Sequence, residues 1–233
     1  MKRFYFSVLN EDTINIIDVG CNKGQSIDFF LNINSNATFD AFEPNKKLFV
    51  FLQTKYRTDS KQMRNIKLHN VGISNIKGEL VFHENILDET STFEELNMDS
   101  KYLIKKAKVL GVSKENVTVD NYKVDVIKLA DFIKESPNKM FDVLKIDAEG
   151  HELQCFQGLF EDESMILPIR YIQFESHNDD MYLRKNQHKN IENLLHKNGF
   201  DKVAEIKHGF GNIAEIIYEN KKINEIKYCN TSL

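Results

Sequence analysis

The sequence is poor in the residues that mark linkers, disulfide frameworks and membrane spans. Its 233 residues include only 3 prolines and 10 glycines, too few for a linker, and nothing repeats at a fixed period. Cys21, Cys155 and Cys229 form neither a paired framework nor a metal-binding spacing, which is typical of a reduced, cytoplasmic protein. No apolar run approaches the ~18 residues of a membrane span, and residues 1–12 lack a small-residue cleavage site. We therefore expect one domain over residues 1–233, located in the cytoplasm, without membrane insertion or a signal peptide.

The charge balance excludes two broad classes of partner. The chain carries 31 Lys and Arg against 35 Asp and Glu, a formal net charge of −4. The surface as a whole therefore attracts neither nucleic acid nor anionic lipid. Hydrophobic residues make up 41% and charged residues 28%, which are ordinary globular values and argue against disorder.

Short apolar strands alternate with amphipathic helices along most of the chain. Strands are predicted over residues 14–19, 38–42, 66–71, 141–146, 169–174, 200–207 and 212–218. Helices are predicted over residues 26–33, 46–56 and 186–197, and from residue 151 onward. This alternation is typical of a doubly wound, mostly parallel α/β sheet. The connection between the last two strands is too short for a crossover, which predicts a closing antiparallel hairpin.

Residues 85–116 interrupt this alternation. Just before them, residues 78–83 alternate like a hairpin partner of the preceding strand. Residues 94–110 carry apolar side chains at helical spacing and are followed by Gly111. Strand character resumes over residues 117–129. We expect a helical and β insertion at about 85–116, which is our candidate for a lid.

A glycine-containing turn, Asp18-Val-Gly-Cys-Asn-Lys-Gly24, follows the first strand. In an open parallel sheet, ligands bind beyond the carboxyl ends of the strands, where glycines let the backbone approach closely. The turn alone is equally consistent with a tight strand–helix connection. Glu43, however, ends the second strand, where an acidic side chain can hold both ribose hydroxyls. Asn70-Val-Gly72 ends the third strand, where it could line an adenine or serve only as a turn.

The segment Lys145-Ile-Asp-Ala-Glu-Gly-His-Glu152 holds five ionisable groups at the end of a buried strand. Lys145 and Asp147 point to the same side of that strand. Burying them is unfavourable unless they pair with each other or with a ligand. A helix N-terminus would favour the glutamates, but it leaves a lysine in an apolar strand unexplained. The next strand ends in Glu175-Ser-His177, whose histidine has an ordinary pKa of ~6.5 that suits a proton acceptor.

Four segments resemble the FkbM family of methyltransferases. They are Ile17-Asp-Val-Gly-Cys-Asn-Lys-Gly24, Ala41-Phe-Glu-Pro-Asn45, Asn70-Val-Gly-Ile-Ser74, and Lys145-Ile-Asp-Ala-Glu-Gly-His-Glu152 followed by Gly158. The resemblance implies a class I, Rossmann-like methyltransferase fold, with S-adenosyl-L-methionine as donor and S-adenosyl-L-homocysteine as product. It also implies O-methylation of a hydroxyl, commonly on a sugar or a secondary metabolite. Cys21 and Lys23 depart from the smaller or apolar residues that are more usual in the family.

The resemblance also assigns roles to individual residues. The methionine part of the donor is expected near the glycine turn, the ribose at Glu43, and the reacting end near Lys145. The predicted cofactor-binding residues are Asp18, Gly20, Cys21, Asn22, Gly24, Glu43, Pro44, Asn70, Gly72, Asp147 and Glu149. The predicted catalytic residues are Asp147 or His177 as the base, with Lys145 and Glu175 orienting the reacting groups. No metal is predicted, because no metal-ligand spacing accompanies these side chains.

Two other functions stay open at this point. A nicotinamide-dependent oxidoreductase is disfavoured because the turn lacks the Gly-x-Gly-x-x-Gly spacing that a dinucleotide pyrophosphate prefers. A non-catalytic module that binds S-adenosylmethionine is disfavoured by the presence of Lys145, Asp147 and His177. For an enzyme, the expected partner is a small-molecule or glycan acceptor, with a surface-polysaccharide sugar or its precursor as the leading choice.

Overall fold

Strands and helices alternate along the chain in the computed structural model, which describes residues 1–57, 65–162, 166–177, 180–183, 187–208 and 213–223. The strands are β1 (Asn15–Val19), β2 (Thr38–Phe42), β3 (Ile66–His69), β4 (Gly72–Ile73), β5 (Gly78–Asn85), β6 (Thr118–Ile127), β7 (Phe141–Ile146), β8 (Ile169–His177), β9 (Phe200–His208) and β10 (Ile213–Asn220). The helices are α1 (Lys2–Val8), α2 (Gln25–Leu31), α3 (Lys46–Arg57), α4 (Lys101–Leu110), α5 (Leu129–Glu135), α6 (Glu152–Leu159) and α7 (Gln187–Lys197). Short 3-10 helices at Asp88–Thr90 and Lys114–Asn116 flank α4.

The main sheet has seven strands in the order β3-β2-β1-β7-β8-β10-β9. The pairs β1–β2, β1–β7, β2–β3 and β7–β8 are parallel. Strand β10 runs antiparallel between β8 and β9. This confirms the predicted doubly wound, mostly parallel sheet and its closing antiparallel hairpin. The strand order reverses between β1 and β7, which is the position where open α/β sheets bind ligands.

The two faces of the sheet carry separate hydrophobic cores. Ile17 and Leu144 pack on the face covered by α5, α6 and α7, whereas Ile16 and Val143 pack on the face covered by α1, α2 and α3. Every residue of β7 is buried, as expected for a central parallel strand. Burying an aliphatic side chain fully, instead of leaving it exposed, stabilises the fold by roughly 1.5–3 kcal/mol. Because successive side chains of a strand point to opposite faces, the position of a polar residue in the strand decides which face it reaches.

A second sheet contains β4, β6 and β5, in that order. Strand β5 pairs antiparallel with β6, from Gly78 opposite Val126 to Asn85 opposite Thr118. The prediction that residues 78–83 form a hairpin with the preceding strand is therefore wrong. The alternating pattern of β5 was read correctly as a strand, but its partner lies on the far side of the insertion.

The insertion between β5 and β6 is partly helical, as predicted, but its helix is shorter than the periodicity indicated. Helix α4 begins at Lys101 and not at residue 94, because Ser100 caps it by accepting a hydrogen bond from the Leu103 N–H at 3.0 Å. Leu96 lies in an isolated bridge with Tyr182 instead. The helix ends as predicted at Gly111, which has a left-handed φ of 71°.

Two helices were not predicted. Strand β6 ends at Ile127 and α5 follows from Leu129, so the strand expected over residues 117–129 is too long. Helix α1 places Tyr5 in the core with no exposed surface. None of the helices in the described ranges is both long enough and apolar enough to cross a bilayer.

Candidate active site

The glycine turn after β1 is held against two neighbouring elements. The Gly20 and Cys21 N–H groups both donate to the Phe42 carbonyl, at 3.0 and 3.1 Å. Gly20 has a φ of 76°, and a Cβ there would lie 1.9 Å from the Asp147 carbonyl oxygen. A side chain is therefore excluded at Gly20 by both conformation and space. The turn after β1 and the turn after β7 are in direct backbone contact.

The Glu43 carboxylate is buried beside this turn and is held by two backbone amides. Oε2 accepts from the Asn22 N–H at 2.7 Å, and Oε1 accepts from the Asn45 N–H at 2.9 Å. Burial raises the pKa of Glu43 to about 7, although both hydrogen bonds act in the opposite direction. Each carboxylate oxygen retains a second lone pair, and Glu43 is one of the residues that line the adjoining cavity. Glu43 therefore fits the predicted role of holding two ribose hydroxyls.

Asp18 has one oxygen without a hydrogen bond. Its Oδ2 accepts from the Ser26 hydroxyl, whereas its Oδ1 is buried and has no hydrogen-bond partner among the described residues. Burial raises the pKa of Asp18, and the charge of Lys145 acts against that rise. A buried oxygen left in this way indicates that a ligand or water completes its hydrogen bonding. Asp18 does not itself line the cavity, so its predicted contact with the amino group of S-adenosylmethionine stays a prediction.

Lys145 and Asp147 form an ion pair at the end of β7. Lys145 Nζ donates to Asp147 Oδ2 at 2.9 Å. Burial alone would lower the pKa of Lys145. The carboxylates of Asp147, Asp18 and Glu215 more than compensate, so the pKa is raised and the ammonium form is kept. The expected pairing of these two groups in an otherwise apolar strand is present.

The turn between β7 and α6 separates structural from cavity-facing carboxylates. Glu152 Oε1 accepts from the Ala148 and Gly150 N–H groups, at 3.0 and 3.1 Å, and so closes the turn. Glu149 has a φ of 49° and lines the cavity, and its Oε2 accepts from the Tyr182 hydroxyl at 3.1 Å. Of the two glutamates in this segment, Glu152 is therefore the one that stabilises the start of the helix.

These elements surround a cavity of about 340 Å³. The sequence-predicted residues that line it are Gly20, Cys21, Asn22, Glu43, Pro44, Gly72, Lys145, Asp147 and Glu149. Most of the predicted cofactor set is thus brought together in one place. The remaining predicted residues lie behind the wall or at its edge.

The predicted residues outside the lining have other contacts. Gly24 begins α2 with a φ of 81°, packed so closely on Tyr56 that a Cβ would lie 2.2 Å from its hydroxyl. Asn70 Nδ2 donates to the Glu43 carbonyl at 2.8 Å and so supports the backbone of the site. Glu175 pairs in register with Glu215 of β10 and is not among the lining residues. His177 ends β8, but its side chain lies outside the described part of the structure.

The insertion supplies one wall of the cavity. Its lining residues are Asp88, Glu89, Ser91, Thr92 and Phe93, none of which was predicted individually. Lys23 connects this wall to the glycine turn, with Nζ at 3.3 Å from Asp88 and 3.4 Å from Glu89. The predicted lid segment therefore forms part of the cavity wall, and its function as a lid stays a prediction.

A buried histidine fixes the same wall from behind. His151 Nδ1 lies 2.6 Å from Glu94 Oε1, and His151 Nε2 lies 2.9 Å from the Ser74 hydroxyl. The Gln154 amide also donates to Glu94, at 3.1 Å. All four side chains are buried and none lines the cavity. This group connects the insertion, β4 and the start of α6, and its role is structural.

Gln173 of β8 and Glu215 of β10 also line the cavity and were not predicted. Each shares its strand face with an acidic residue, Glu175 in β8 and Glu219 in β10, so the sequence pattern did not mark them as it marked Lys145. Within the described ranges, no group of three or more His, Cys, Asp or Glu residues is placed to hold a metal ion.

The strand order and the position of the cavity define a class I methyltransferase fold. Three methyltransferase structures share it. An FkbM methyltransferase from Methylobacillus flagellatus KT has a TM-score of 0.57 and 15% identity, covering 91% of this chain and 45% of that one. The N-terminal domain of human METTL16 in complex with SAH has a TM-score of 0.51 and 13% identity, covering 94% and 66%. TrmK from M. capricolum in complex with SAH has a TM-score of 0.51 and 9% identity, covering 94% and 67%.

The sequence itself identifies the family. The profile of the Methyltransferase FkbM domain matches residues 18–202. The chain therefore belongs to the FkbM methyltransferase family, which confirms the resemblance and supports S-adenosylmethionine as its methyl donor. No curated protein matches the sequence. The chain spans less than half of the FkbM structure and about two thirds of the METTL16 domain.

Proposed function

We propose that this methyltransferase transfers the methyl group of S-adenosylmethionine to a hydroxyl of a neutral acceptor. The leading acceptor is a sugar of a surface polysaccharide or glycan precursor, and the alternative is a small metabolite. The proposed place of action is the cytoplasm. The observation that carries the proposal is the charge of the cavity.

Acidic side chains dominate the cavity wall. Six carboxylates line it, whereas Lys145 is its one basic side chain among the described residues. Asp88 and Glu89 are partly neutralised by Lys23 from outside, and the raised pKa of Glu43 reduces its charge near neutral pH. The remaining carboxylates still outnumber the lysine.

This charge favours a cationic ligand and disfavours an anionic one. The methyl donor carries a sulfonium and an ammonium group against one carboxylate, so it is cationic overall. A dinucleotide carries two phosphates, and an RNA acceptor carries one for each nucleotide. The cavity therefore supports the methyl donor over a nicotinamide cofactor, and a neutral acceptor over a nucleic acid.

The residues at the end of β7 and β8 supply the proposed chemistry. When bound, S-adenosylmethionine provides a methyl group on an activated sulfonium. The protein aligns the acceptor oxygen for in-line displacement and accepts its proton. We assign proton acceptance to Asp147, which lines the cavity, with His177 as the alternative base. Lys145 holds Asp147 in place through their 2.9 Å contact, and Glu175 remains a predicted orienting residue.

The test compares Asp147→Asn and His177→Ala in a radiolabel-transfer assay. Acceptor pools are treated with labelled donor, and binding of S-adenosylhomocysteine is measured separately by calorimetry. The variant lacking the base should lose about 100-fold or more in rate while still binding the product. His196→Ala, on the exposed side of α7, is the matched control. Near-normal rates in both variants would exclude both proposed bases.

A second measurement separates the rival functions. Thermal shifts are recorded with S-adenosylhomocysteine and with NAD. Stabilisation by the product and not by NAD supports a methyltransferase, and the reverse supports an oxidoreductase. Product binding without label transfer to any pool would favour a non-catalytic binding module.

A further inference from the structure

One row of polar side chains crosses the centre of the main sheet on a single face. Lys145 of β7 lies beside Gln173 of β8 in the parallel register. Glu215 of β10 pairs with Glu175, two residues after Gln173 on the same face. Lys145, Gln173 and Glu215 all line the cavity. The row continues the cavity from β1 and β7 toward the antiparallel edge.

This row lies far from the ribose site. Glu43 follows β2, and Glu215 lies on β10, four strands away in the sheet order. At about 4.8 Å per strand, this separation is roughly 19 Å. The two residues therefore occupy opposite ends of one cavity, and a donor that reaches from Glu43 to the end of β7 leaves the far end for the acceptor.

A chain of short hydrogen bonds fixes the orientation of the row. The Tyr5 hydroxyl donates to Gln173 Oε1 at 2.6 Å, and Gln173 Nε2 donates to Glu215 Oε2 at 2.6 Å. Reversing the amide would turn its oxygen toward the carboxylate, which is unfavourable. Tyr5 thus positions Gln173, and Gln173 in turn positions Glu215.

The Glu215 carboxylate helps to keep Lys145 in its ammonium form, but its hydrogen bond is to a different residue. Lys145 is already bound by Asp147 at 2.9 Å, and the hydrogen bond of Glu215 goes to Gln173 instead. Glu215 is only 9% exposed, and among the described residues its Oε1 takes no hydrogen bond. This oxygen is not one of the buried, unpartnered atoms of the described residues. Glu215 lines the cavity, so a ligand bound there can donate a hydrogen bond to it.

Aromatic side chains complete this end of the cavity. Phe29 and Phe30 line it from α2, with their ring centroids 5.1 Å apart in an edge arrangement. An apolar wall facing a carboxylate and an amide suits a molecule with a C–H face and several hydroxyls. A phosphate or carboxylate on the ligand would meet Glu215 and Asp147 and be repelled.

We propose that Gln173 and Glu215 form the acceptor subsite and that it takes a neutral polyhydroxylated molecule. An acceptor hydroxyl donates to Glu215 Oε1, while Phe29, which the buried Phe30 supports from behind, packs against the C–H face of the sugar ring. The inference rests on the proposed function, because it places the acceptor of that same reaction. It adds two binding residues that lie outside the sequence motifs.

The first experiment measures ligand binding to the full chain without turnover. Neutral methyl glycosides of mannose, rhamnose, fucose and galactose are compared with mannose 6-phosphate, using saturation-transfer NMR in the presence of S-adenosylhomocysteine. At least one neutral glycoside should bind and the phosphate should not. Binding of the phosphate alone, or of no neutral glycoside, overturns the acceptor assignment.

The second experiment uses Glu215→Gln, with Glu219→Gln of the same strand as control. Glu219 contacts Tyr171 and Lys221 and does not line the cavity. Loss of one charged hydrogen bond should weaken glycoside binding and raise the acceptor KM by about 10- to 100-fold. The affinity for S-adenosylhomocysteine should stay within about threefold. If Glu215→Gln does not fold, Tyr5→Phe releases Gln173 and should weaken the glycoside about 3- to 10-fold.

The outcomes separate this inference from the function on which it rests. If the wild-type protein does not bind S-adenosylhomocysteine, the proposed function and the acceptor subsite are both refuted. If it binds the product and methylates an acceptor while Glu215→Gln and Tyr5→Phe behave like the control, the acceptor subsite alone is refuted.

Discussion

Lowering the pH should stabilise this protein relative to a Glu43→Gln variant. Burial raises the pKa of Glu43 from an ordinary 4.5 to about 7. Between these values the folded protein binds more protons at this site than the unfolded chain does, so stability falls as the pH rises. The destabilisation is complete above about pH 7 and disappears below the unfolded pKa. Between about pH 8 and pH 5 the expected change is roughly 2.5 kcal/mol.

The assay is urea unfolding of both proteins at a series of pH values. The glutamine variant does not titrate at this position, so the difference between the two proteins isolates the contribution of Glu43. That difference should shift by roughly 2.5 kcal/mol in favour of the wild type as the pH is lowered. Glu79→Gln, an exposed site paired with Lys123, should follow the wild type throughout. Parallel curves for the wild type and Glu43→Gln would refute a raised pKa.

The same titration should appear in ligand binding. Two ribose hydroxyls need a hydrogen-bond acceptor, and the ionised carboxylate is the better one. The affinity for S-adenosylhomocysteine should therefore fall below about pH 7, by at most about tenfold per pH unit. In Glu43→Gln the affinity should be weaker, and its pH dependence should lose this step. A step of equal size in both proteins would assign it to another group.

Two further predictions concern the backbone contact and the insertion. Gly20→Ala should abolish folding or product binding, because its Cβ would lie 1.9 Å from the Asp147 carbonyl, whereas Gly111→Ala, with a positive φ but open space, should cost only about 1–2 kcal/mol in thermal unfolding. Equal losses of stability in the two variants would show that backbone strain, and not the close approach to Asp147, explains the effect of Gly20→Ala. Glu94→Ala should destabilise the protein by roughly 1–3 kcal/mol, because it leaves His151 without its 2.6 Å partner. An unchanged Tm would contradict this role.

The sequence predicted the main sheet well because its signals are local. The strand at residues 141–146 is mostly apolar apart from Asp142 and Lys145, and it matches β7 residue for residue. The helix stop at Gly111 was likewise predictable, since a single residue sets the left-handed conformation. Such features depend on a few neighbouring residues and not on tertiary contacts.

The errors lie where distant contacts override local preference. Residues 94–100 have helical spacing, but Glu94 is drawn to His151 and Leu96 to Tyr182, so the helix starts later. The partner of β5 was misassigned because β6 follows the insertion. Helix α5 was missed because it directly follows β6.

In the site, residues within motifs were predictable and residues outside them were not. Glu43 and Asp147 were identified because each ends a recognisable strand beside a turn. Gln173 and Glu215 carry no motif, and only the folded sheet brings them next to Lys145. The walls contributed by the insertion were expected as a segment, but its individual side chains could be assigned only from the structure.

The contact between Gly20 and the Asp147 carbonyl has a consequence for how this site tolerates substitution. The spacing between the donor turn and the proposed base is set by main-chain atoms, supported by the Asp147 N–H donating to the Val19 carbonyl at 3.0 Å. No side chain separates the two turns. They can approach this closely because Gly20 has no Cβ, which would lie 1.9 Å from the Asp147 carbonyl oxygen. Substitution of the surrounding side chains should therefore alter this spacing less than a Cβ at Gly20 would.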